Sequence, residues 1–166
     1  GTEEGVQAAR SVNIGCVRLT ERHMASAPAT SDQIQRVEAD TDAAIDTVLQ
    51  SVPLEKATRA VAVAGTATTI AAAALGLKTY DSEAINGSSI SVDTVQKTAE
   101  MLRSMTREER AALGYMHPGR VDVIGAGATI YARIMTRLRE ITEGNIDSVT
   151  VSEHDILDGI ALSQVR

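Results

Sequence analysis

The sequence has no phenylalanine and no tryptophan, and only three tyrosines in 166 residues. Its core must be aliphatic, and the shortage of aromatic platforms argues against base stacking as a mode of nucleic-acid binding. A single cysteine, Cys16, excludes an intramolecular disulfide and a cysteine-rich zinc site, and it suits a reducing cytoplasm. Basic residues are also in deficit: 16 Lys and Arg against 22 Asp and Glu give a net charge of −6. Such a chain is no general polyanion binder, so a phosphate ligand would need positive charge gathered locally in a cleft. No apolar run is long enough to span a bilayer, and no signal-peptide pattern is visible. The expected setting is the cytoplasm, with neither a membrane nor a nucleic acid as partner. Three histidines lacking ligand spacing argue against a protein-held transition metal.

What is present suffices for one domain, since 43% hydrophobic and 23% charged residues is a globular composition. The chain opens on Gly1 and not Met, as an excised fragment would. Its most informative stretch is Val61-Ala-Val-Ala64, then Gly65-Thr-Ala-Thr-Thr69, then an alanine-rich run. Small, partly β-branched apolar residues read as a strand covered on both faces. Gly65 permits a sharp turn, and the threonines stand where a helix begins. Free backbone N–H groups, hydroxyls and a helix dipole would converge there, as at a phosphate site. It is not a Walker A loop, because no lysine follows the glycine as that motif requires. The plain alternative is a tight crossing in which Thr68 or Thr69 caps its own helix.

Around this stretch the pattern is α/β. Gly5 to Asn13 reads as extended, and Ile14-Gly15-Cys16-Val17-Arg18-Leu19 as a turn into a second strand with Val17 and Leu19 on one face. Thr30 and Ser31 are candidate caps for a helix whose stripe is Ile34, Val37, Thr41, Ile45, Val48 and Leu49. Glu38, Asp40, Asp42 and Asp46 would form its solvated face. Asn86 to Ser89 reads as a loop, Ser91 caps a helix carrying Val92, Val95, Ala99, Leu102 and Met105, and Thr106 to Glu109 is a capping box for a short helix ending at Gly114. His117-Pro118-Gly119 introduces the longest helix, running to about Thr142 and apolar almost all round in its first half. Ile146 to Val151 is a strand, and Ser152 to Asp155 cap a final helix.

Other constellations invite chemistry. Gly15 with Arg18, Arg22 and His23 could present a guanidinium to phosphate, although an ordinary hairpin with solvated charges is the favoured reading. Ser152, Glu153, His154 and Asp155 read as an ordinary cap, yet they should lie beyond the carboxyl end of a strand, beside the Gly65 loop, where open α/β sheets bind ligands. His117 and Arg120 read as a solvated corner. Cys16 has no activating partner in sequence and reads as a small core residue.

Three segments taken together, Ser11 to Glu21, Val63 to Ile70 and Ser148 to Ile160, resemble in order and spacing the Ppx/GppA family of exopolyphosphatases and guanosine pentaphosphate phosphatases. Arg120-Val-Asp-Val-Ile124 and Gly125-Ala-Gly-Ala128 are similar to that family as well, so the resemblance covers nearly the whole chain. It implies an actin-like ATPase fold of two ribonuclease-H-like halves, with residues 1–166 as the second, C-terminal half and a mixed sheet packed with helices. It implies removal of terminal phosphate from inorganic polyphosphate or guanosine pentaphosphate, with Mg2+ held mainly by the substrate and the other half. Gly65, Thr66, Ala67, Thr68 and Thr69 would then line the cleft as phosphate ligands, with Gly15 and Arg18 near it. The family's Asp-x-Gly-Ser loop and catalytic glutamate are absent, so no catalytic residue is expected here and the chain alone should be inactive. The family's Gly-Gly-Gly-Ser strand would also precede Gly1. Its loss should leave an opened sheet, re-paired by the hairpin or covered by a homodimer or strand swap. The rival reading is a non-hydrolytic module that senses guanosine tetra- or pentaphosphate through the same loop; another actin-like kinase half is a weaker one.

Overall fold

The computed structural model describes residues 1–2 and 5–164, so Glu3 and Glu4 of the opening segment lie outside it. The parallel pairing that positions the site runs between β1 (Ala60–Ala62) and β3 (Ser148–Val151), with Ala60 opposite Val149 and Ala62 opposite Val151. β2 (Ser89–Ser91) pairs antiparallel on the other side of β3, so the sheet is mixed and its order is β1-β3-β2. The strand period of two turns Val149 and Val151 inward, each 1% exposed. They meet the apolar faces of three helices, α3 (Gly65–Ala74), α5 (Val92–Ser104) and α7 (Ile124–Ile141). The opposite face is open: Val61 is 57% exposed and Val63 48%, so the strand is not covered on both faces as its composition suggests.

The helices that the sequence marks most clearly form where expected. α2 (Ser31–Leu49) starts at a capping box in which Thr30 and Gln33 satisfy each other's backbone N–H, and it buries Val37, Thr41 and Ile45. Ser91 caps α5 by accepting from the Thr94 amide, and the stripe Val92, Val95, Ala99 and Leu102 is fully buried. Thr106 and Glu109 box α6 (Arg107–Ala111), which ends short of Gly114. Asp155 caps α8 (Ile156–Ser163). The short α4 (Ser82–Ile85) and strand β2 occupy the region read as a loop.

The expected hairpin does not form. Residues 6–13 are irregular, and α1 (Cys16–His23) replaces the second strand. The reason lies in partners: a helix buries Leu19 completely beside Met24, Val37, Ala126 and Ile130, and it leaves Val17 outside at 54% exposure. Burying that leucine is worth about 1.5–3 kcal/mol, whereas a strand would need a ladder partner that no described residue supplies. Without the hairpin, there is nothing to re-pair across the sheet. The helix expected to be the longest starts later than the sequence suggests, because Pro118–Arg120 form a 3₁₀ turn before α7 begins, and its 18 residues fall one short of the 19 in α2.

The acidic face of α2 is not merely solvated. Arg133 of α7 grips Asp42 with two 2.8 Å hydrogen bonds, while Arg137 reaches Asp42 at 3.1 Å and Asp46 at 2.9 Å. Asp40 accepts from Arg22 at 2.7 Å and pairs with His23 at 2.8 Å, tying α2 to α1.

Candidate functional site

Because β1 and β3 are parallel, both chains leave the sheet at the same end. The Ser152 amide donates to Ala62 O at 2.9 Å, placing the start of the Ser152–Asp155 cap beside the Gly65 turn, as the rule for ligand sites in α/β sheets requires. The turn itself is abrupt. Ala64 stands at φ 71, ψ 173, a conformation that suits glycine and costs an alanine about 1–3 kcal/mol.

α3 begins at Gly65 with no side-chain cap. The hydroxyls of Thr69 and Thr68 turn back to the Gly65 carbonyl, at 2.7 and 3.4 Å, so neither closes the helix start as the capping alternative supposed. The first-turn amides thus face outward at the positive end of the helix, the arrangement that holds anions. Thr68 and Thr69 are buried, whereas Gly65 and Thr66 are half-buried at the mouth.

Arg120 supplies the positive charge. Its guanidinium lies where a Cβ on Gly65 would project, and its Nη1 donates to Thr69 Oγ1 at 3.3 Å. In the sequence this arginine reads as part of a solvated corner, which the structure corrects. The signal was its place in a Pro-Gly-Arg turn just before a long apolar helix, which fixes the backbone but not the direction of the side chain. His117 caps that turn by accepting from the Gly119 amide.

Arg120, Gly65, Thr66 and Ala67 share a cavity of about 390 Å3 with Cys16, Val63, Ile124 and Tyr131. Gly127 lets α7 close one side, since a Cβ there would meet Thr66 Oγ1 at 3.0 Å and Cys16 Cβ at 3.2 Å. Cys16 therefore lines the cavity and is not a core residue. Burial pushes the Tyr131 phenol well above its ordinary pKa, so it stays protonated. Outside the lining, Glu153 accepts at 2.6 Å from the hydroxyl of Tyr80, which lies close to Thr68 and Arg120; burial and then that carboxylate raise the Tyr80 pKa.

Arg18 does not join this group. It is exposed, donates to the Asn13 carbonyl at 3.2 Å, and Gly15 serves as the N-cap of α1. Among the described residues no carboxylate lines the cavity, and no three His, Cys, Asp or Glu side chains are grouped to hold a metal. The donor set, amides with a hydroxyl and a guanidinium, suits an anion and does not fit a hard cation such as Mg2+.

The profile of the Ppx/GppA phosphatase family matches residues 1–164. Exopolyphosphatase 2 of Mycobacterium tuberculosis is 45% identical over 161 residues, which are 97% of this chain and 50% of that protein. The crystal structure of an exopolyphosphatase-like protein superposes with a TM-score of 0.92 at 41% identity, over 95% of this chain and 50% of the other. The PPX-GPPA enzyme of Aquifex aeolicus matches with a TM-score of 0.82 at 25% identity, over 98% of this chain and 51% of the other. The chain spans about half the length of these relatives, and its architecture is one half of their actin-like ATPase fold.

Proposed function

The chain belongs to the Ppx/GppA phosphatase family, and from that premise we propose that it is the phosphate-holding half of an exopolyphosphatase that removes terminal phosphate from inorganic polyphosphate. The observation that carries this reading is the guanidinium of Arg120 seated on Gly65 at the uncapped start of α3. Amides and a fixed positive charge there would hold non-bridging phosphate oxygens, and such charge-assisted bonds are about twice as strong as neutral ones. The backbone strain at Ala64 fits a turn kept for a task, because a relaxed crossing would not need it.

In this reading Gly65, Thr66 and Ala67 offer backbone donors, Thr66 adds a hydroxyl, and Arg120 replaces Arg18 as the electrostatic partner. Thr68 and Thr69 shape the turn through the Gly65 carbonyl and do not meet the ligand directly. Magnesium would arrive with the polyphosphate, since this lining offers it no carboxylate. A homodimer and the cytoplasmic setting remain part of the proposal; the open apolar face at Val61 and Val63 favours the first and the single cysteine the second.

Titration of the chain with sodium tripolyphosphate by calorimetry is the test. Saturable binding that weakens at least tenfold in Arg120→Ala supports the reading. Equal affinity in Arg120→Ala, or no binding by the parent sequence, overturns it.

A further inference from the structure

A second hollow of about 390 Å3 lies on the other side of the α7 start, between the end of α1 with the loop that follows it and helix α6. Ile124 borders the cavity described above, whereas the next residue, Gly125, borders this one. We propose that this hollow is a separate binding site for a compact oxyanion head group, phosphate or carboxylate, with Arg110 as its principal ligand.

The charge of Arg110 is only partly balanced. Arg110 is 3% exposed, and its guanidinium caps the end of α5 by donating from Nε to Leu102 O at 2.8 Å and from Nη2 to Arg103 O at 3.4 Å. Among the described residues Nη1 has no acceptor and no carboxylate bonds to this guanidinium. A buried cation held only by carbonyls is costly, and here desolvation lowers the arginine's pKa. Asp122 offsets part of this charge through space without bonding to it, and an anion in the hollow would supply the missing acceptor and the rest of the counter-charge together.

The surroundings fit such an occupant. Gly125 sits under the guanidinium: a Cβ there would come within 3.0 to 3.4 Å of its atoms. α7 opens at Val123 with no side-chain cap, so its first-turn amides add positive potential beside Arg110. Thr20, which also lines the hollow, buries an Oγ1 that has no hydrogen-bond partner. A threonine in a helix populates two χ1 rotamers, and a change between them can offer that hydroxyl to a ligand. At the mouth, Arg107 is already neutralised by Asp122 at 2.6 Å, and Glu108 adds a negative charge. That rim repels extended polyanions and admits a single head group, in contrast to the Arg120 cavity, which no carboxylate lines.

The test is a nitrogen-edited NMR titration of the whole chain with sodium phosphate and, separately, sodium acetate, at constant ionic strength set with sodium chloride. Saturable shifts at Gly125, Ala25 and the Arg110 side chain, reduced tenfold or more in Arg110→Gln, support the site. The stronger of the two anions then identifies the head group. Because Arg110 also caps α5, Ala25→Glu serves as the second variant; Ala25 is exposed, so the fold survives while like charge at the mouth should abolish the shifts. Asp122→Asn, which frees Arg107, should tighten binding several-fold. Shifts confined to Gly65–Thr69, or unaffected by both Arg110→Gln and Ala25→Glu, overturn the proposal and leave the Arg120 cavity untouched. Absence of any shift at Gly125 and Ala25 overturns it too.

Discussion

The guanidinium of Arg120 occupies the space that any side chain on Gly65 would need. Two residues 55 positions apart are thus interlocked, one by having no side chain and the other by the direction of a long one. Gly65→Val should evict the guanidinium from the start of α3. Overpacking of this kind costs about 1–3 kcal/mol. A lowered thermal midpoint, with tripolyphosphate affinity reduced more than tenfold, is the expected pair of results. Unchanged affinity would dissociate the two residues.

Ala64 offers the opposite experiment. Its backbone, at φ 71 and ψ 173, lies in a region that glycine enters freely. Ala64→Gly should therefore stabilise the chain, by about 1 kcal/mol after the added freedom of the unfolded state is subtracted. Chemical denaturation gives the sign directly, and a clear loss of stability would mean that the alanine methyl packs usefully there.

The grip of Arg133 and Arg137 on Asp42 predicts an acid dependence. The hydrogen bond from Arg133, followed by its charge and then those of Arg137, holds the Asp42 carboxyl below its ordinary pKa of 3.8, and Asp40 is lowered likewise by His23 and Arg22. The unfolded chain takes up these protons at higher pH than the folded one. Their contribution is thus complete at neutral pH, begins to fall near pH 4, and is lost as the pH drops through the depressed folded values. For Asp42, whose side chain is 27% exposed, Asp42→Asn should cost about 1–2 kcal/mol at pH 7 and flatten the acid limb. Urea midpoints measured from pH 6 to pH 2.5 test both; parallel curves for the parent and the variant would count against it.

Much of this was legible in the sequence where one side chain decides one local structure. Thr30, Ser91, Thr106 and Asp155 each announce a helix start, and each one caps. The turn at Gly65, and its nearness to Ser152, followed from strand length and α/β topology. The failures share a different physics. Cys16 to Leu19 alternates like a strand but is too short to exclude a helix, and the choice is made by Val37 and Ala126, far away in sequence. Arg120 was invisible as a ligand because the rotamer that lays it over Gly65 is set by tertiary contact. Asp42 and Asp46 looked solvated because their partners lie some 90 residues further on.

Hydrolysis is a separate matter from binding. Among the described residues no carboxylate lines the Arg120 cavity, and Glu153 nearby is engaged by the Tyr80 hydroxyl, so the cavity walls offer no carboxylate base to an attacking water. The chain should bind tripolyphosphate without cleaving it, even with magnesium present. Phosphate release above the uncatalysed rate, lost in Arg120→Ala, would show that Glu153 or another group acts as the base.

Ala126 and Ile130 of α7 belong to the small core around Leu19, while Ala128, Ala132 and Met135 belong to the main core against the sheet. One helix is thus a wall common to two apolar compartments, and neither can open without disturbing the other. The amides of residues 126–132 should be the last to exchange with deuterated solvent, and both compartments should melt in a single transition.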